Sequence, residues 1–259
     1  MPTIHDEAIC VRQWDWSETS QTVSLFAREA GVFRAVAKGS RREGAPFSGG
    51  LEVLTRAGLT ASLKRTGALS TLTSWDLRDP YPALRRELDR FHAGLYVADL
   101  VHHALRDDDP HPRLYDACAL ALATIGGSLD TPAGDPGRAL LRFQWALLLE
   151  TGRAPVLDAA ADSGQVLDPA PTYLFDPELG GLIPDPGAPA ARGWRVREQT
   201  VNLLRALAAS GRTDGEADAI GRANRLLAAH IAWGLDTTLP TAPLALGRAP
   251  QPPSDGGNS

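Results

Sequence analysis

The chain has 259 residues, 43% hydrophobic and 22% charged, with a formal net charge of −5; this is ordinary globular composition, long enough for one large domain or two modest ones. No apolar run approaches the roughly 20 residues of a membrane-spanning helix, and the first residues lack the apolar stretch of a secretory signal. Two cysteines, Cys10 and Cys118, make neither a disulfide framework nor a thiolate zinc site, so a soluble cytoplasmic protein without cofactor or metal is expected.

From residue 5 to about 76 the hydrophobic period is two, the spacing of a strand with one buried face. Val23 and Leu25 alternate with Thr22 and Ser24, and Leu59, Ala61 and Leu63 alternate with Thr60, Ser62 and Lys64. Five short antiparallel strands are predicted, over 5–15, 20–27, 32–38, 51–64 and 68–76. Five strands are too few for an immunoglobulin-type sandwich and suit a small closed β-barrel such as an OB-fold.

At Asp79-Pro80 the rhythm becomes helical, with Asp as a good N-cap and Pro suited to the first turn. Leu84, Leu88, Phe91, Leu95, Ala98, Val101 and Leu105 recur at threes and fours, predicting one buried stripe on a helix that ends near 107–109. Asp109-Pro110 and Asp135-Pro136 read as the starts of two more helices, running to Gly126 and Gly152. Segment 153–191, rich in Pro, Gly and Asp, reads as an irregular insertion. Two further helices are expected over about 192–209 and 214–235, the second opened by Thr213 and Glu216 at capping-box spacing. The predicted organisation is a barrel domain over 1–78, a mainly α-helical domain over 79–246 containing the insertion, and a disordered tail over 247–259 that has nothing to bury.

Signatures of catalysis are missing: there is no phosphate-binding lysine loop, no dinucleotide-binding glycine fingerprint, no nucleophile elbow and no His-Glu-x-x-His pair. His102 and His103 are adjacent on a helix and so do not converge on a metal, and Asp107-Asp108-Asp109 lacks the alternating ligands of a calcium loop. The chain reads as a non-enzyme. A hydrolase would have only those histidines and aspartates to stand on.

Positive charge is distributed unevenly. Residues 1–80 carry ten Lys and Arg against nine Asp and Glu, and the remainder sixteen against twenty-two, so the whole chain is no generic polyanion binder. Arg34 and Lys38 share one strand face, and Arg41 and Arg42 sit on the loop after Gly39-Ser40. Arg56, Lys64 and Arg65 extend the row if the 51–64 strand lies alongside. Such a row displaces counterions from phosphates, and on an OB barrel it forms part of a groove for single strands. A solvated hairpin loop has the same composition, and charge alone favours that blander reading. Trp14, Trp16 and Phe47 are candidates for stacking on bases; from pattern alone, barrel packing is expected of each.

Ala8-Ile9-Cys10-Val11-Arg12-Gln13-Trp14-Asp15-Trp16-Ser17-Glu18-Thr19-Ser20, with Val23-Ser24-Leu25-Phe26-Ala27-Arg28-Glu29-Ala30-Gly31 after it, resembles the opening of the RecO family of bacterial recombination mediators. Val36-Ala37-Lys38-Gly39-Ser40-Arg41-Arg42 resembles that family's basic strand and loop. Leu148-Leu149-Glu150-Thr151-Gly152-Arg153-Ala154-Pro155, Pro177-Glu178-Leu179-Gly180-Gly181-Leu182 and Arg222-Ala223-Asn224-Arg225-Leu226-Leu227 continue the resemblance, which spans roughly residues 5–235 in order. It implies an N-terminal OB-fold and a helical C-terminal domain. It further implies binding of single- and double-stranded DNA, annealing of complementary strands, and partnership with RecR through the barrel. Contact with the acidic C-terminal tail of single-strand-binding protein, and help to RecA in replacing that protein, belong to the same implication. The DNA role carries over to Lys38, Arg41 and Arg42, with Arg34 added from the strand face.

Many members of that family hold a zinc ribbon on two C-x-x-C pairs; here the flanking words place those positions at Ala160, Ser163, Pro184 and Gly187. The resemblance therefore implies a ribbon-like insertion that has lost its cysteines, with no metal. The 156–187 segment must then hold itself by packing Leu157, Val166, Leu167, Tyr173, Phe175, Leu182 and Ile183. Arg142, Arg222 and Arg225 are helix cations suited to rim a pocket for an acidic tail. A rival of another class is a protein-interaction adaptor that keeps the fold with little direct DNA binding.

Overall fold

The computed structural model describes residues 2–48, 51–64, 68–128, 131–187 and 193–247; Arg65 and the tail expected beyond Gly247 lie outside them. Contacts divide the chain into two compact units, Met1–Pro136 and Gly137–Ser259.

In the first unit the alternating segment forms β1 (Thr3–Ser17), β2 (Ser20–Ala27), β3 (Gly31–Ala37), a short β4 (Phe47–Ser48), β5 (Arg56–Ser62) and β6 (Ser70–Asp79). The strands run β3-β2-β1-β5-β6, and β3 closes back on β6 to give a five-stranded barrel of OB type. Inward side chains, among them Val23, Leu25, Phe33, Leu59, Leu72 and Trp75, fill it. The expected antiparallel pairing fails at the closure, where Ala35–Ala37 lie parallel to Ser70–Leu72. Five strands in a ring cannot alternate direction all the way round, so one pair must be parallel. The strand expected from residue 51 starts only at Arg56; residues 51–55 turn instead, burying Leu51 and Leu54 while Leu54 N–H donates to the Cys10 carbonyl at 2.7 Å.

The expected first helix is corrected at both ends, its last residue being Ala104, while most of its predicted stripe is buried. Asp79 is the end of β6 and ion-pairs with Arg56 at 2.6 Å, so it caps nothing. The helix begins after Pro82 as α1 (Ala83–Arg86), breaks at the extended Glu87, and resumes as α2 (Leu88–Ala104). Leu84, Ala98, Val101 and Leu105 of the expected stripe are buried, Phe91 and Leu95 half-buried and Leu88 exposed at the break, and Ala93, Tyr96, Val97 and Leu100 widen the buried face. α3 (Pro112–Gly126) starts three residues after Asp109, whose backbone lies against Gly31 of β3. Cys10 and Cys118 are fully buried, as expected of core packing; burial pushes the Cys10 thiol up to about 12 and raises that of Cys118 as well.

The second unit contains α4 (Pro136–Glu150), α5 (Glu198–Ser210), α6 (Ala217–Gly234) and α7 (Ala242–Leu246). The insertion is more regular than its composition suggests. It supplies β7 (Thr172–Asp176) and β8 (Gly181–Pro184), and the residues that follow it add β9 (Trp194–Arg197), giving an antiparallel sheet ordered β8-β7-β9. β9 takes the start of the helix expected from 192. The capping box also fails: Thr213 Oγ1 is buried without a hydrogen-bond partner, and no side chain caps α6. Leu157, Leu167, Tyr173, Phe175 and Leu182 are buried and Ile183 partly so, but Val166 points outward at 85% exposure. Its backbone bridges Ala159 across a tight turn that projects the side chain into solvent.

Ala160, Ser163, Pro184 and Gly187 line one cavity of about 440 Å³. They offer zinc no thiolate. Asp185 in the same cavity accepts from the Gly187 N–H at 2.9 Å and Thr172 Oγ1 at 3.0 Å, and pairs with Arg195 at 3.1 Å. The Gly187 amide, then Thr172 and Arg195, hold its carboxyl below the usual carboxylate range. One acceptor thereby ties β7 and β9 to the residues after β8.

His230 on α6 gives this unit a pH response. Its Nε2 lies 3.0 Å from the Arg153 carbonyl, its Nδ1 is buried without a partner, and its ring edge meets Phe175 at 5.1 Å. Burial lowers its pKa, opposed by the Arg153 carbonyl bond. Below about pH 6.5 the unfolded chain takes up a proton that the folded one refuses, so stability is full above that pH and falls as pH drops through it. Urea titrations at about pH 7.5 and 5.5 should show a smaller loss for His230→Gln than for wild type; equal losses would exclude His230 as the source.

Candidate nucleic-acid interface

β1 outruns the barrel. It pairs with β5 only over Thr3–Ile9, whereas its pairing with β2 continues to Ser17. Side chains beyond Arg12 therefore have no core to enter, and Trp14 and Trp16 are 45% and 62% exposed. This corrects the expectation that both pack in the barrel; Phe47, beside Trp75, does. A register shift between Asp15 and Ser17 leaves Trp16 as the extra residue of a bulge, a device that re-aims side chains.

The loop after β3 is fastened to this hairpin. Gly39, at φ +67°, donates its N–H to Ser20 Oγ at 3.0 Å; Ser40 Oγ donates to Gln21 Oε1 at 2.9 Å. Arg41 N–H donates to the Thr19 carbonyl at 3.2 Å, and its guanidinium pairs with Asp15. Lys38, Arg41 and Arg42 are thus gathered, exposed, at one hairpin tip with Trp14 and Trp16. Asp15, Glu18 and Glu43 are equal in number and also exposed, so the local formal charge is zero and the cations are distinguished by their fixed placement.

The other cations separate. Arg34 is exposed on β3, four residues before Lys38, with Nε 3.8 Å from Asp107. Lys64 N–H donates to Ser70 Oγ at 3.1 Å, and Ser70 pairs with Ala35, which brings Lys64 to the flank of Arg34. Arg56 does not join this row. It is held between Glu7 at 3.2 Å and Asp79 at 2.6 Å, and Glu7 also receives Arg78, a network that binds β1, β5 and β6 together.

The histidine and aspartate candidates have structural partners. His102 and His103 meet edge to face at 5.1 Å, and His103 Nε2 is 3.5 Å from Asp99, which Arg12 engages at 2.8 Å. Asp107 and Asp108 dock on the start of β3, where Asp108 N–H donates to the Val32 carbonyl at 2.8 Å. Among the described residues no three His, Cys, Asp or Glu are placed to hold a metal. In the second unit Arg142 is exposed, Arg222 donates to Thr200 Oγ1 at 3.2 Å, and Arg225 reaches the Leu246 carbonyl at 3.5 Å. The sequence reading missed an apolar hollow of about 560 Å³ there, lined by Trp194, Ala228, Ala232, Trp233, Leu239 and Pro243. The only signal was the Ala spacing on α6.

Residues 1–81 match the family profile described as Recombination protein O N terminal, and residues 85–242 the one described as Recombination protein O C terminal. The chain is 30% identical over 254 residues to the DNA repair protein RecO of Cutibacterium acnes, an alignment covering 94% of this chain and 99% of that one. It is 29% identical over 241 residues to the protein of the same name from Myxococcus xanthus, covering 92% and 95%. With that of Rhodopirellula baltica it shares 35% over 158 residues, 61% of this chain and 57% of the other.

Proposed function

The chain belongs to the Recombination protein O family, and from that premise we propose that it is a recombinational DNA-repair mediator. It binds single- and double-stranded DNA through the barrel domain, residues 1–78, and anneals complementary strands. With RecR it helps RecA onto strands coated by single-strand-binding protein, whose acidic tail the helical domain, residues 79–246, engages. It works in the cytoplasm at the nucleoid, without catalysis of its own. Among the described residues no helix is long and apolar enough to cross a membrane.

The observation that supports this reading most is the fixed loop of Lys38, Arg41 and Arg42 on the β1–β2 hairpin. A loop held in place presents its cations to phosphates without losing loop entropy on binding. Neutralising two strands at one surface also lowers their mutual repulsion, which annealing requires. Arg34 and Lys64 extend the row along the barrel flank, and Arg65 continues it in sequence.

The test is fluorescence anisotropy of a labelled single-stranded oligonucleotide at about 50 and 200 mM salt. Wild-type affinity should fall about tenfold or more across that range, as three phosphate contacts imply. Lys38→Glu/Arg41→Glu/Arg42→Glu should bind at least about tenfold more weakly at low salt, with a shallower slope. The carboxylates Asp15, Glu18 and Glu43 favour the adaptor as second reading. No wild-type binding at low salt would establish it over the first.

A further inference from the structure

A singly exposed apolar side chain is ordinary, but large aromatics exposed together form a patch of the kind that marks a contact site. Of the six tryptophans in the chain, Trp75, Trp145 and Trp194 are at most 7% exposed and Trp233 on α6 is 37% exposed, whereas Trp14 and Trp16 are 45% and 62% exposed together on one strand end. The barrel does not require them there, because β5 has already left β1 at Ile9 and no core lies beneath. Their neighbours define what fits. Arg41 is bound to the residue between them, Asp15, and to the Thr19 carbonyl across the hairpin turn; Lys38 and Arg42 are exposed on the same loop, and Glu18 and Glu43 are exposed at the same tip, so the cations stand among an equal number of carboxylates. A ligand that covers the indoles while meeting these cations needs flat apolar faces spaced along an anionic thread.

The geometry points to a stacking platform for unpaired nucleobases, formed by Trp14 and Trp16 beside the Lys38–Arg42 loop. The inference rests on the proposal that this surface binds DNA, and adds to it a preference for single strands. An unpaired base offers its face to an indole; in a duplex both faces are covered by neighbours, so only the phosphates remain for the loop. Base–aromatic stacking is tolerant of sequence, so the platform gives strand selectivity with little base selectivity. Trp14 and Trp16 are two apart on β1, the spacing of one strand face, and the register shift at Trp16 marks a bulge where the pairing to β2 is locally broken.

Trp14→Ala/Trp16→Ala tests this, measured by anisotropy against an oligothymidine single strand and a mixed-sequence duplex. The expected result is a loss of tenfold or more for the single strand, an unchanged salt slope, and unchanged duplex affinity. Trp14→Phe/Trp16→Phe should restore most of the single-strand affinity, which separates stacking from damage to the hairpin. Quenching of tryptophan fluorescence by the oligothymidine should disappear in the alanine variant. Unaltered single-strand affinity in that variant, while Lys38→Glu/Arg41→Glu/Arg42→Glu loses binding, would overturn the platform and leave the DNA surface standing. Wild-type protein that binds neither DNA would overturn both. A concentration-dependent dimer abolished by the alanine variant, with DNA affinity unchanged, would assign the indoles to a second copy and overturn the platform too.

Discussion

Gly31→Ala should destabilise the first unit by about 3 kcal/mol or more, against about 1 kcal/mol for Gly44→Ala. Both glycines have φ +73°, so an added Cβ costs each the same left-handed strain. They differ in what the Cβ meets. At Gly44 nothing lies within 4 Å, whereas at Gly31 the Asp109 carbonyl oxygen would be 2.4 Å away and its carbon 2.6 Å. These are backbone atoms that cannot swing aside. To make room, the 107–109 segment must leave β3 and give up the Asp108 N–H bond to the Val32 carbonyl. The difference between the two midpoints in urea isolates the clash from the conformational strain. Equal losses would mean that the segment after α2 yields at no cost and does not help fix β3.

The barrel was legible because one physical rule, burial of one face of a pleated strand, determined most of it. Val23, Leu25, Phe33 and Leu59 all face inward as alternation requires. What alternation could not carry was the way the ring closes. The β3–β6 pairing joins strands separated by a long stretch of chain, and its direction follows from strand number. Helix starts were misplaced for a related reason. Asp79 satisfies the local rule for an N-cap, but Arg56 across the sheet has a stronger claim on its carboxylate. Thr213 and Glu216 have capping spacing, yet the chain buries the threonine. The small sheet of the insertion was hidden because β8 and β9 are only four residues each, too short for a period to register.

At the candidate site the sequence marked the loop of Lys38, Arg41 and Arg42 for its charge and misjudged the exposure of the aromatics. Lys38, Arg41 and Arg42 are adjacent in the chain, so their meeting needed no fold. Arg56 looked equivalent by charge, and only the fold shows that Glu7 and Asp79 consume it. Trp14 and Trp16 sit in a strand that packs well up to Val11; where its second neighbour departs is a property of β5, which no reading of β1 supplies.

The pair that fixes this strand end to α2 should respond asymmetrically to mutation. Arg12 Nη2 donates to Asp99 Oδ1 at 2.8 Å; the aspartate is 3% exposed and the arginine 35%. Arg12→Met should cost about 3 kcal/mol, because it strips a buried carboxylate of a charged partner that offsets its desolvation. Asp99→Asn should cost only about 1 kcal/mol, since the amide still accepts a hydrogen bond and the arginine reaches water. Urea unfolding of the two variants measures the difference; equal losses would show that Arg12 contributes through its aliphatic stem rather than its charge. The consequence extends to the interface. Arg12 lies two residues before Trp14, so its bond to α2 ties β1 to the body of the first unit just ahead of the strand end that β2 and the Asp15–Arg41 pair hold. If the hairpin tip presents indoles and cations in a fixed arrangement, Arg12→Met should also weaken single-strand binding under conditions where the barrel remains folded, through a site it does not itself line.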